Sequence, residues 1–189
     1  MVKLYVGIDQ SRGGFGLSKL YVDGARSCDS TIVRKFDAKQ LKVTPGVDVL
    51  KAIEYWLTIS LRDDRLGIAH VAMEGYSYGS SNGREKAGEL GYAVKGLLHD
   101  LIPGRARYPT IVTPNQVKLF TTGSGSADKK KMVKAVNERW GRAFTNDNAA
   151  DAYALARIAE AIDTGNTNYP YEKSVLQELK LHTEAPPAA

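Results

Sequence analysis

One cysteine, Cys28, and three histidines are all that this sequence offers in thiol or imidazole ligands. A lone thiol cannot close an internal disulfide, and no Cys/His cluster has the spacing of a zinc site, so both facts fit a reducing cytoplasm. No apolar run approaches the roughly 20 residues that a membrane helix needs, and no membrane partner is expected. The opening stretch MVKLYVGID enters a strand pattern at once, which leaves no signal peptide to expect. Internal repeats are also missing. The 189 residues fit one domain with a substantial core and would squeeze two. What is present is a globular balance of 43% hydrophobic and 25% charged residues. The formal charge of +5 and a pI of about 9.2 are compatible with a polyanionic partner without proving one.

Read in order, KLYVGID (residues 3–9) is a short apolar run ending in Asp9, followed by the glycine-rich QSRGGFG and a second β-rich run, LSKLYVDG. A third strand is expected over residues 30–36, giving a three-stranded antiparallel meander. Pro45 opens a helix whose apolar residues Val49, Ile53, Trp56, Leu57 and Leu61 keep helical spacing. LGIAHVAME then reads as a buried strand and ends in Glu74. The loop GYSYGSSNGREK carries Tyr76 and Tyr78, and a glycine-bearing helix follows from Arg84 to Leu101, a candidate lining for a dimer surface or a bound partner. A short strand is expected at residues 110–112. Thr113 and Pro114 then read as the cap and first residue of a small helix. One more amphipathic helix is expected within YEKSVLQELKL, before a disordered tail, HTEAPPAA.

Two features of the second half carry chemistry. The segment TTGSGSADKKK passes from a glycine loop into Lys129, Lys130, Lys131 and Lys134 at the start of a helix. Such a run is either a solvated face or, with backbone N–H groups from the loop, a place to hold phosphate. In the next helix Asp151 shares a stripe with Leu155, Ile158 and Ile162, and Asp147 lies one turn earlier on the same side. A buried carboxylate needs a base, a hydrogen-bond donor or a metal ion beside it. Alternatively, both acids simply favour the positive end of the helix dipole.

Asp9, Glu74 and Asp151 stand far apart in sequence, yet each is at the end of an element; for Asp9 an ordinary turn-initiating role is the alternative. If they converge, their repulsion calls for a hard, oxygen-liganded cation, Mg²⁺ or Mn²⁺. Two such ions roughly 4 Å apart could activate a water on one side of a phosphodiester and stabilise the leaving oxygen on the other. The lysine run would hold the nucleic-acid backbone.

GIDQS with its glycine-rich hairpin, the strand-ending Met73-Glu74, the stretch from Val117-Lys118 to GSADK at Lys129, and AADAYALA from Ala149 to Ala156 together resemble RuvC-type Holliday-junction resolvases. The resemblance runs from Lys3 to Ile162 and is strongest toward phage members. It implies an α/β, ribonuclease-H-like fold with a mixed five-stranded sheet, three strands antiparallel and then parallel ones, flanked by helices. On that fold residues 1–165 would form the nuclease domain and 166–189 an extension. It further implies a homodimer that cuts a four-way DNA junction symmetrically, with two Mg²⁺ or Mn²⁺ ions per active site. Asp9, Glu74 and Asp151 match the metal-binding acids, and Lys118 and Lys129 match basic residues near the scissile phosphate. Tyr76 and Tyr78 fall where relatives carry a junction wedge; packing within the loop is the alternative. Arg84, Lys130, Lys131 and Lys134 are the further DNA-contact candidates.

The sequence departs from the family at Asn148, where bacterial members carry a further acid three residues before the last one. Asp147 takes over as fourth ligand, or Asn148 coordinates as a neutral oxygen donor, or Asn148 replaces a native Asp in an inactivated protein. Two rival functions follow, a fork- or flap-selective nuclease of the same fold and a junction-binding protein with a weakened site. A nucleotide cofactor is not expected: GIDQSRGGFG superficially resembles the first phosphate loop of actin-like ATP-binding folds, but those need a second, related half.

Overall fold

The computed structural model describes residues 2–10, 14–36, 47–75 and 84–183. Strands β1 (Lys3–Asp9), β2 (Phe15–Asp23) and β3 (Arg26–Arg34) form the antiparallel meander, and β4 (Ile68–Glu74) and β5 (Thr110–Val112) add in parallel, in the order β3-β2-β1-β4-β5. The mixed five-stranded sheet of the ribonuclease-H-like fold is therefore present, with β1 at its centre. The helices are α1 (Val47–Leu61), α2 (Arg84–Leu101), α3 (Pro114–Thr122), α4 (Lys129–Trp140), α5 (Asp147–Thr164) and α6 (Pro170–Thr183).

The third strand begins earlier than the expected residue 30. Asp23 pairs with Arg26 across a two-residue turn in which Gly24 has a φ of 59°, so β3 starts as soon as the chain has reversed. Phe36 is not a strand residue; it turns inward and meets the rings of Phe15 and Trp56 edge-on.

Alternation along β1 divides the core in two. Leu4, Val6 and Ile8 pack under α1 and α2 together with Ile53, Leu57, Val94 and Leu98. Tyr5 faces the other side, where α3, α4, α5 and α6 bury Phe120, Val136, Leu155, Ile158 and Val175. Gly7 and Asp9 share the parity of Tyr5 and so belong to this second face. A Cβ on Gly7 would stand 2.0 Å from the Ala152 carbonyl oxygen, and one on Gly16 of β2 would stand 2.5 Å from that of Asn148. Helix α5 thus lies directly on the backbone of the two strands, where only glycine leaves room.

Candidate active site

Asp9 is the last residue of β1, 5% exposed, and on the face covered by α5. In the parallel pair β1–β4 the register brings Ile8 beside Met73, so the next residues on each strand, Asp9 and Glu74, emerge together from the same end of the sheet and on the same side. Helix α5 meets them with its first turns. Its cap is Asn146, whose side chain accepts from the Ala149 N–H, which sets Asp147 as the first helical residue and Asp151 one turn on. Because Ala152 rests on Gly7, Asp151 cannot stand away from the strand ends. Val112 of β5 lies beside Glu74, and Thr113 caps α3 at once through a reciprocal capping box with Gln116. Lys118 is therefore carried in the second turn of a helix that starts at the acids' end of the sheet.

Asp9, Glu74 and Asp151 feel one another's charge. Burial pushes the Asp9 carboxyl up to about 9, reinforced by the charge of Glu74, a hydrogen bond to it, and the charges of Asp151 and Asp147. Burial also raises Glu74, while the bond from Asp9 and the charge of Lys118 oppose the rise. Asp151 is pushed up to about 7 by burial, with Glu74 and Asp147 adding and Lys129 and Lys118 opposing. Asp147 moves the other way: the Lys129 ammonium donates to its carboxylate and holds it below the usual range. Burial and the neighbouring acids thus favour the protonated form of Asp9, because bare charges there would repel at low dielectric.

This arrangement brings together Asp9, Glu74, Asp147, Asp151, Lys118 and Lys129. Lys130, Lys131 and Lys134 are exposed along α4, the last near Glu138 at 3.7 Å. Asn148 instead packs against Gly14, just before β2: a Cβ there would meet its Nδ2 at 2.1 Å. Tyr76 and Tyr78 lie outside the described residues, as does the side chain of Arg84, whose backbone opens α2. Among the described residues no three acidic, histidine or cysteine side chains already stand around a single ion-sized point. The donor set nevertheless suits a hard dication, since it is made of carboxylate oxygens delivered to one end of the sheet by adjacent parallel strands and α5.

One contributor escapes motif reasoning. Gln10, next to Asp9, donates from Nε2 to the Glu74 carbonyl oxygen at 2.8 Å. Its partner is 64 residues away in sequence, and nothing local marks an amide side chain for such a bond.

No protein-family model matches the sequence, and a search of curated proteins gives no significant match. Among solved structures, RuvC of Thermus thermophilus superposes with a TM-score of 0.63 at 24% identity, covering 82% of this chain and 91% of that one. The T. thermophilus RuvC complex with a Holliday junction substrate gives 0.64 at 25% identity, covering 82% and 90%. The resemblance first carried by four short motifs thus extends through the order and direction of the strands, and the chain has the RuvC form of the ribonuclease-H-like fold.

Proposed function

We propose that this protein is a metal-dependent endonuclease that resolves four-way DNA junctions as a homodimer, by paired symmetric hydrolysis of phosphodiesters. The observation that carries the reading is the meeting of buried Asp9 with Glu74 at adjacent parallel strand ends, under Asp151 and beside Lys118 and Lys129. Its structural relative bound to a Holliday junction supports the choice of DNA. Asp9, Glu74, Asp151 and Asp147 would hold Mg²⁺ or Mn²⁺, two ions per site. When bound, such ions supply Lewis-acid polarisation of the phosphate and lower the pKa of the attacking water.

The chain's own groups do the rest. Asp9 would hold the cation as a carboxylate, and Glu74 and Asp151 would complete the negative charge of the site at the strand ends. Lys129, 82% exposed and bonded to Asp147, is placed to exchange that partner for a phosphate oxygen. Lys130, Lys131 and Lys134 bind backbone and carry no base preference. Residues 1–165 form the nuclease unit in this reading, 166–189 extend it, and the protein acts in the cytoplasm of a bacterial or phage-infected cell.

The decisive assay compares cleavage of a four-way junction, a fork and a plain duplex at one salt concentration with Mn²⁺, Mg²⁺ or EDTA. Junction cleavage in the cations alone is expected, with Asp9→Asn and Glu74→Gln at least 100-fold slower; parental rates in either variant would overturn the assignment. Preference for the fork would instead favour the broader branched-DNA nuclease. Tight junction binding without cleavage, unrescued by Asn148→Asp, would favour the architectural protein. Sedimentation at micromolar concentration tests the homodimer.

A further inference from the structure

The parallel ladder between β1 and β4 stops at Ile8 and Met73, one residue short of the two acids. Beyond that point each strand stays paired on its outer side. Asp9 still faces Gly16 of β2, Glu74 faces Val112 of β5, and the Gly75 N–H donates to the Val112 carbonyl at 2.8 Å. The seam between the acid-bearing ends is therefore where the sheet is free to open. It is bridged by the Gln10 side chain, whose Nε2 donates to the Glu74 carbonyl oxygen at 2.8 Å.

The assignment of that amide is fixed by chemistry. Turned over, it would set its oxygen against the Glu74 carbonyl, two acceptors face to face. The other end of the amide, Oε1, is buried and has no partner among the described residues, so the side chain is tied through its nitrogen. The bond from Gln10 joins a neutral amide to a backbone carbonyl and so carries no net charge.

We infer that Gln10 is a positioning residue: its amide adds one rung to the β1–β4 pairing and so sets the spacing between the Asp9 and Glu74 carboxylates. Its consequence for cation binding rests on the proposed nuclease reading, whereas the bridge itself belongs to the cation-free protein. Partners that orient metal-ligating groups are commonly worth about 10–100-fold in metal affinity or activity, and the same range is expected for Gln10.

The test uses the full-length protein and two variants, Gln10→Ala and Gln10→Met, the second keeping length and bulk without the donor. Amide hydrogen exchange is followed in EDTA, and binding of Mn²⁺ alone is measured by titration. Both variants are expected to exchange about tenfold faster at residues 8–10 and 74–75, with core amides such as those of Leu155 and Ile158 unchanged. Mn²⁺ should bind about 10-fold more weakly or worse, with junction affinity in EDTA unaltered. Parental exchange at the strand ends, or parental Mn²⁺ affinity in Gln10→Met, overturns the inference. If the parent itself neither binds Mn²⁺ nor cuts a junction, the nuclease reading fails separately. Exchange at the two strand ends then decides the bridge alone, faster exchange upholding it and unchanged exchange overturning it.

Discussion

Asp9 carries a proton into neutral solution because its burial and its acidic neighbours penalise the charged form, moving it from 3.8 to about 9. The sign of the linkage follows. For an acid whose pKa is raised on folding, the stabilising contribution is complete below the unfolded value, near 3.8, and is lost as pH rises toward about 9. Asp9→Asn removes this dependence, so in EDTA the variant should gain on the parent steadily between pH 5 and pH 8. A gain of about 2 kcal/mol at pH 8 corresponds to roughly 4–8 °C in Tm for a chain of this size. Excess Mn²⁺ should reverse the order, raising the Tm of the parent and not that of the variant; a variant less stable than the parent in EDTA at pH 8 would contradict the burial argument. A second residue-scale outcome concerns Asn148. Because its side chain packs on Gly14 while Asp147 shares the field of Asp9 and Asp151, Asp147 is the fourth acid we propose. Asn148→Asp should therefore change junction cleavage by less than about threefold, and a rise of tenfold or more would make residue 148 the missing ligand position.

Between elements, the contact that matters is helix on bare backbone. An added methyl at Gly7 would collide with the Ala152 carbonyl and the Ala156 nitrogen, at 2.0 and 2.3 Å, neither of which can swing aside as a side chain could. Gly7→Ala must lift α5 off β1, at a cost of about 1–3 kcal/mol or more in chemical denaturation. It should also slow cleavage at least tenfold in the protein that remains folded, since Asp151 rides on the displaced helix. Gly24→Ala, strained only by its positive φ in a turn at the far end of β2, should lower stability and leave cleavage per folded molecule intact. These contacts also explain what could be read from sequence. Helix α3 with its Thr113 cap, the periodic helices α4 and α5, and the acids closing β1 and β4 were legible because a cap, periodicity and strand ends are local signals. The start of β3 was misplaced because a two-residue turn at Gly24 and Ala25 leaves little trace in composition. Gln10, Gly7 and Gly16 gave no sign of their roles, since each is defined by a partner far along the chain that only the folded sheet brings near.

For the molecule as a whole, the parallel strands and α5 deliver acids to one end of the sheet, and α3 and α4 deliver cations around them. Lys130, Lys131 and Lys134 stand exposed on α4, clear of the acids that Lys118 and Lys129 face. Roles should divide along that line. Exposed lysines gain affinity by displacing counterions from DNA, and each phosphate contact contributes about 0.9 to the slope of log K against log salt. Replacing Lys130, Lys131 and Lys134 together by alanine should flatten the slope for junction binding in EDTA by about 2–3 and weaken binding equally across DNA sequences. Once the junction is saturated, the single-turnover rate should stay within about threefold of the parent. Lys129→Met should do the opposite, changing the slope by no more than about 1 while lowering the saturated rate at least tenfold. Should the triple variant lose its saturated rate and Lys129→Met keep it, the active lysines would lie along α4 and the proposed placement of phosphate beside Asp147 would be wrong.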